Sequence, residues 1–232
     1  MRERPIPSAQ QRARRGPGAG GGRRDQGFLR LKRSRAAKRA FDITASTIGL
    51  VVSSPVMLYI WVRIKVDRDG PVIYAGRRVG RGGREFRMYK FRTLVANADR
   101  VGGPNTPDDD PRLTGTGRWL RRFKLDELPQ LFNVLRGDMS LVGPRPQVPI
   151  EVAGYTDEER ELLEVRPGIT DWASLRFSNE GEILAGHGDP DRAYAELIRP
   201  EKMRLGLEYV RRGTFRDDLD ILRQTAMLPF KK

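Results

Sequence analysis

Asp126 and Glu127 stand side by side in Leu125-Asp126-Glu127-Leu128-Pro129-Gln130, two carboxylates just ahead of a proline and beside an apolar run. Taken alone, such a pair reads as helix N-terminal chemistry, where the dipole favours acids. The neighbouring residues change that reading. Gly137-Asp138-Met139-Ser140-Leu141-Val142-Gly143-Pro144-Arg145-Pro146 follows shortly after and holds Arg145 between two prolines that restrict its backbone. Upstream stand Lys90-Phe91-Arg92-Thr93 and Asp110-Pro111-Arg112-Leu113-Thr114, while Arg118, Arg121 and Arg122 lead into the acids. A carboxylate attacks phosphorus only when arginine, lysine or Mg²⁺ screens the phosphate charge. Cations suited to phosphate thus surround one acidic dyad.

The elements that must position these residues are short and mixed. Trp119, Leu120 and Phe123, then Leu128, Leu131, Phe132 and Leu135, have helical spacing interrupted at Pro129. Pro71-Val72-Ile73-Tyr74 and Glu85-Phe86-Arg87-Met88-Tyr89-Lys90-Phe91 flank the turn Gly80-Arg81-Gly82-Gly83 and predict a hairpin. Asp108-Asp109-Asp110-Pro111 predicts a solvated turn rather than a metal site. Met203, Leu207 and Val210, and then Phe215, Leu219, Leu222 and Ala226, mark two amphipathic helices whose apolar faces are expected in the core. Arg204, Arg211, Arg212, Arg216 and Arg223 on them also suit a surface helix at lipid headgroups. His187, the lone histidine, is expected on a surface loop. The expected class is α+β, dominated by helices.

From Phe41 to Val62 the chain is predominantly apolar, broken near its middle by Ser53-Ser54-Pro55. About 20 apolar residues at 1.5 Å each would cross the roughly 30 Å of hydrocarbon. Pro55 argues against a simple crossing, because it lacks the N–H and clashes with the preceding turn. Ser53 and Ser54 stand where their hydroxyls can satisfy the carbonyls that a proline orphans. Arg33, Arg35, Lys38 and Arg39 precede the stretch, and Arg63, Lys65 and Arg68 follow it, so both ends carry the positive charge of a cytoplasmic flank. A helix-break-helix at Ser54-Pro55 that dips into one leaflet and returns satisfies both observations. A kinked single pass and a buried core helix are the alternatives.

The formal charge of +14 belongs mostly to the N-terminus. Residues 1 to 40 hold 13 Lys and Arg against 2 acids, leaving 31 against 28 for the remainder. With Pro5, Pro7, Pro17 and Gly20-Gly21-Gly22, residues 1–35 are expected to form a disordered basic tail suited to anionic cytoplasmic lipid. Residues 36–66 would then be the membrane element and 67–232 the catalytic domain. The sequence contains no cysteine, which excludes disulfides and thiolate metal sites. Specific nucleic-acid binding is not expected, since Phe28 is the tail's single aromatic.

Ordered along the chain, Lys38-Arg39-Ala40-Phe41-Asp42, Ser54-Pro55, Gly70-Pro71-Val72-Ile73-Tyr74, Tyr89-Lys90-Phe91-Arg92-Thr93, Asp110-Pro111-Arg112, Leu125 to Leu135, Gly143-Pro144-Arg145-Pro146 and Arg166-Pro167-Gly168-Ile169-Thr170 resemble the bacterial sugar transferases, the small monotopic phosphoglycosyl transferases. The resemblance implies a re-entrant helix broken at Ser54 and Pro55 that holds the catalytic domain on the cytoplasmic face of the bacterial inner membrane. It implies transfer of a sugar phosphate from a UDP-sugar to polyprenol phosphate, with Mg²⁺ as cofactor, as an early membrane step of surface glycan synthesis. By position, Asp126 matches the nucleophile that forms a phosphosugar-aspartyl intermediate. Glu127 matches its partner, orienting Mg²⁺ or taking a proton, and both acids are implied to face the metal. Arg145 and Arg121 match phosphate-binding arginines, with Lys90, Arg92 and Arg112 as further candidates. The chain departs from the family at Asp171-Trp172-Ala173-Ser174 and Arg176-Phe177-Ser178-Asn179-Glu180, where many relatives read Gly-Trp-Ala-Gln, and this bears on donor specificity. A homodimer is compatible with the sequence and not required by it. Two readings without catalysis, a membrane-anchored scaffold and an RNA-binding protein, both leave the dyad without chemical purpose. A polytopic transferase would need several spans; only one stretch here is long and apolar enough.

Overall fold

The computed structural model describes residues 21–67, 70–98, 102–103 and 105–228, with side chains from residue 36 onward. Two compact units divide it, Met1–Lys38 and Arg39–Lys232, and every candidate site residue belongs to the second. Residues 1–20, most of the expected tail, lie outside the described residues. The backbone is already helical from Gly21, inside the stretch that composition assigns to disorder.

Helix α1, Gly21–Val66, carries the apolar stretch and is the one described helix long and apolar enough to cross a membrane. The expected break into two helices does not occur in the backbone, since α1 continues through Pro55. Ser54 Oγ donates to Val51 O at 2.8 Å, the carbonyl that Pro55 has no N–H to satisfy. One stripe of α1 packs on the domain. Asp42, Ser46, Ile60 and Ile64 are buried, Phe41, Ala45 and Met57 pack against core clusters, and Gly49 lies close to Leu131. The opposite face is bare: Val51, Val52 and Leu58 are 69%, 73% and 64% exposed.

Strands β1, Ile73–Val79, and β2, Glu85–Phe91, form the expected antiparallel hairpin, and Tyr74 faces Lys90 in its register. Its turn, Arg81–Gly83, needs positive φ at Gly82 and Gly83, where glycine carries no steric cost. Next come α2, Gly115–Arg122, capped by Thr114, a single 3₁₀ turn, Leu125–Glu127, and α3, Gln130–Arg136. The helical pattern is therefore interrupted twice, at Lys124 as well as Pro129. Strand β3, Ser140–Val142, pairs in parallel with β4, Gly168–Thr170. Between them lies α4, Pro149–Ala153, and after them α5, Trp172–Arg176, α6, Glu180–Leu184, α7, Pro190–Ala193, α8, Arg199–Arg212, and α9, Phe215–Met227.

A central cluster joins Met88 of β2, Val134 of α3, Leu141 and Val142 of β3, Tyr209 of α8 and Ile221 of α9. On α8, Met203 and Leu207 are buried as expected. On α9 the expected face is only partly inward: Leu222 packs against the central cluster. Phe215 and Leu219 are each 45% exposed and Ala226 is exposed, while Asp218 and Ile221 face inward. Tyr209 Oη donates to Asp218 Oδ1 at 2.6 Å, so a buried polar contact shares the inward side of α9 with Ile221 and Leu222.

Candidate active site

The dyad sits on its own 3₁₀ turn between α2 and α3. Lys124, which introduces the turn, has φ 57°, a left-handed conformation that costs a non-glycine residue energy and that recurs at functional sites. The turn sends Asp126 inward, to 7% exposure, and brings Glu127 against two cations. Lys90 Nζ lies 2.9 Å from Glu127 Oε1 and 3.9 Å from Asp126 Oδ2. Arg145 bridges both oxygens of Glu127, with Nη2 on Oε1 and Nη1 3.3 Å from Oε2.

Two local devices aim those cations. Asn133 of α3 is fully buried and inserts its amide into the open edge of β2. Its Oδ1 accepts from Tyr89 N at 3.0 Å and its Nδ2 donates to Arg87 O at 2.7 Å, which fixes the strand that carries Lys90 against the helix that follows the dyad. Arg145 leaves β3 beside a close backbone approach. A Cβ on Gly143 would stand 2.5 Å from Arg166 O, so only glycine lets the Gly143-to-Pro146 segment run against Arg166-Pro167-Gly168. At the far end of α3, Arg39 of α1 donates to Val134 O at 2.6 Å and Leu135 O at 2.8 Å, closing the helix C-terminus. Asp42 Oδ1 accepts from Leu141 N at 3.1 Å.

Electrostatics separate the two acids. Burial pushes Asp126 above the ordinary carboxylate range, partly offset by Lys90. Glu127 is also desolvated, but Arg145 and Lys90 outweigh that and hold it well below the usual range. Glu127 in turn pushes Arg145 upward. Burial lowers Lys124.

These groups line one cavity of about 1160 Å³, large enough for a nucleotide-sized ligand. Lys90, Arg92, Arg121 and Arg145 all border it. Arg121 also donates to Thr106 O at 2.7 Å. Arg112 is not among the lining residues. It is bound to Asp110 (Nη2 to Oδ2 2.7 Å) and to the carbonyls of Ala98 and Gly103, each 3.2 Å away, and so serves the loop. Asp109 accepts from Gly186 N at 3.1 Å, which accounts for another acid of that run.

The far wall escaped sequence reasoning. Tyr155, Tyr194 and Lys202 border the cavity with Ser178, Asn179 and Glu180. Lys202 Nζ lies 2.6 Å from Glu180 Oε2 and 4.9 Å from the Tyr194 ring centre. Tyr194 opens a π-helical turn ahead of α8, a local irregularity that often marks a site and that a periodicity reading misses.

Among the described residues, no three His, Cys, Asp or Glu side chains cluster closely enough to hold a metal by themselves. Lys90 and Arg145 pair with Glu127, while Asp126 has only the longer Lys90 contact, so Asp126 is the acid freer to face a metal. Mg²⁺ usually takes one or two carboxylates and completes its shell with water and substrate phosphate, and the residues present fit that arrangement.

The family model for bacterial sugar transferases matches residues 33–232, covering the dyad, both cation segments and most of α1. The chain belongs to the bacterial sugar transferase family. Relatives of this sugar transferase include undecaprenyl-phosphate galactose phosphotransferase of Salmonella typhimurium, 39% identical over 229 residues, covering 90% of this chain and 44% of the relative. Undecaprenyl-phosphate glucose phosphotransferase of Komagataeibacter xylinus is 40% identical over 192 residues, 80% of this chain and 34% of the relative. The UDP-N-acetylgalactosamine-undecaprenyl-phosphate N-acetylgalactosaminephosphotransferase of Aeromonas hydrophila is 44% identical over 141 residues, 60% of this chain and 33% of the relative. The match therefore spans less than half the length of each of these relatives.

Proposed function

We propose that this sugar transferase moves a sugar phosphate from a UDP-sugar to polyprenol phosphate through a covalent adduct on Asp126. The observation that carries the reading is the placement of one buried carboxylate, Asp126, beside a second one already neutralised by Lys90 and Arg145 at a nucleotide-sized cavity. In the first step an Asp126 oxygen bonds to the β-phosphorus, and the bond from that phosphorus to the bridging oxygen breaks, with UMP leaving on the electron pair. In the second, a phosphate oxygen of the acceptor bonds to the same phosphorus and the aspartyl oxygen departs as carboxylate. Asp126 would hold Mg²⁺ together with the substrate phosphate, and the ion would supply Lewis-acid screening of the diphosphate charge. Glu127 keeps Lys90 and Arg145 at the reacting phosphate; its low proton affinity argues for this over a role as base. Arg121 adds charge at the cavity wall.

We further propose that α1 lies in one leaflet of the inner membrane, at its cytoplasmic face, with both ends on the same side. Arg39 and Asp42 fasten one end to the domain, Ile60 and Ile64 the other, and the unpartnered apolar face points away. The basic flanks suit anionic lipid there.

Purified enzyme with Mg²⁺ and a panel of UDP-sugars should release UMP up to one equivalent for an accepted donor and gain the mass of a sugar phosphate at Asp126. Adduct formation by Asp126→Asn would remove Asp126 as nucleophile. Single cysteines at Ala36 and Asp67 in sealed inverted vesicles should both react with an impermeant reagent; reaction of only one would refute the in-plane topology.

A further inference from the structure

The cavity changes character away from the dyad. One end carries Lys90, Arg121 and Arg145; the other is bordered by Glu151, Tyr155, Glu180, Tyr194 and Lys202. Three groups of that second end have no hydrogen bond or ion pair among the described residues: the Glu151 carboxylate and the hydroxyls of Tyr155 and Tyr194. Tyr155 and Tyr194 are only 7% and 5% exposed, yet neither hydroxyl is sealed from open space. The nearby cations are already taken. Arg199 Nη2 lies 2.8 Å from Glu159 Oε1, and Glu180 holds Lys202. Burial pushes Glu151 above the usual carboxylate range, as expected of an acid with no cation of its own.

These groups are held in place from behind. Glu151 stands on α4, Tyr155 packs with Leu162, Met203 and Leu207, and Tyr194 packs with Leu184, Ala193 and Ile198. Two separate apolar clusters thus fix the rings and leave their hydroxyls to the cavity. The same end is close to the reacting groups, since the Arg145 charge acts on Tyr194 and Lys202, and Glu180 acts on Arg145. Arg145 is therefore the boundary between a cationic end and an end rich in hydrogen-bond acceptors.

We infer that Glu151, Tyr155 and Tyr194, beside the Glu180–Lys202 pair, bind the hydroxyls of the sugar being transferred and so select the donor. This rests on the function proposed above. An end lined by carboxylates repels a phosphate and favours a ligand that donates several hydrogen bonds. The sugar is joined through one oxygen to the phosphorus that Asp126 attacks, so it is the part of the donor next to Arg145, whereas the uridine lies one phosphate further away. Uracil also offers a single N–H and ribose two hydroxyls, against several hydroxyls around a hexose ring. Groups of this kind discriminate strongly, because a sugar without the matching hydroxyl leaves them buried and bare.

The test uses the full chain with Mg²⁺, the UDP-sugar accepted in the panel above, and analogues of it that each lack one sugar hydroxyl, with UMP release as the readout. Glu151→Gln should lower kcat/KM for the accepted donor by about tenfold to hundredfold, and Tyr155→Phe or Tyr194→Phe by about threefold to tenfold. For each variant at least one deoxy analogue should show no further loss relative to the parent enzyme, because the hydroxyl that the missing group binds is already absent. UDP, which has the nucleoside and both phosphates but no sugar, should inhibit parent and variants equally within about twofold. Weaker inhibition by UDP in step with the loss, or rescue by a 2′-deoxyuridine analogue in place of a sugar analogue, would assign the groups to the nucleoside and overturn the inference. Losses of the same size with every deoxy analogue would also overturn it, with a lower Tm marking the residues as structural, as would unchanged kinetics in all three variants. If the parent enzyme releases no UMP with any UDP-sugar, the proposed function fails and the inference with it, a result reached before any variant is compared.

Discussion

Asp126 and Glu127 are adjacent, but their surroundings drive their protonation in opposite directions. For Asp126, whose folded pKa is raised, folding is least penalised at low pH, where the group is neutral in both states. Stability is lost as pH rises from the ordinary carboxylate value through the raised one. Asp126→Asn should therefore raise Tm at neutral pH, and the gain should shrink toward zero as pH falls below about 4. Thermal unfolding scans across pH check this. Glu127 has the opposite sign. Its folded pKa is depressed, so its contribution is full above the unfolded value and is lost on acidification through the folded one. Glu127→Gln leaves Lys90 and Arg145 facing each other without their counter-charge, and should cost about 3 kcal/mol at neutral pH in denaturant unfolding, together with most of the activity. The dyad and its flanking cations could be found in the sequence because residue type and order carry that chemistry. Lys124's left-handed backbone could not, since lysine gives no signal for positive φ.

At the scale of elements, the site depends on how α3 is bound to β2. Asn133 replaces two ladder partners that the edge of β2 would otherwise lack, and Asn133→Leu would leave Tyr89 N and Arg87 O half-buried and unpaired. A loss of about 3 kcal/mol is expected, with kcat falling as Lys90 loses its register; urea unfolding and steady-state kinetics on one preparation would show whether the two move together. The hairpin and the long helices were legible because their patterns extend over several repeats. Strands β3 and β4 have three residues each, too short for any alternation to register, although they place Arg145. The α9 stripe shows a different limit. Periodicity identified an apolar face of which Leu222 does pack inward, but it gave no sign that Asp218, bonded to Tyr209, shares the buried side.

Over the whole molecule, the dyad and the long apolar helix share a scaffold. Arg39 reaches the C-terminal carbonyls of α3, whose opposite end follows the dyad, and Phe215 of α9 meets Phe41 of α1 edge-on with ring centres 5.3 Å apart. The half-exposed Phe215 of α9 thus meets the packed stripe of α1. The cavity wall formed by Tyr155, Tyr194 and Lys202 was invisible to a linear reading because its parts come from separated helices. That wall includes Phe177, Ser178, Asn179 and Glu180, so under the proposed function exchanging residues 177–180 for those of a relative with a different donor should redirect the preferred UDP-sugar, read by the same UMP-release panel.

The packed stripe of α1, from Asp42 to Ile64, has a kinetic consequence. No flexible tether lies between the helix and the domain along that stripe, so a domain held at the bilayer by α1 cannot swing into bulk water to search for a partner. Under the proposed function, the adduct and the lipid acceptor would meet by lateral diffusion in two dimensions, and the concentration governing discharge would be the acceptor's mole fraction in the bilayer. Diluting vesicles with buffer should leave the discharge rate constant unchanged. Diluting the acceptor with inert lipid, at fixed total acceptor, should slow it in proportion.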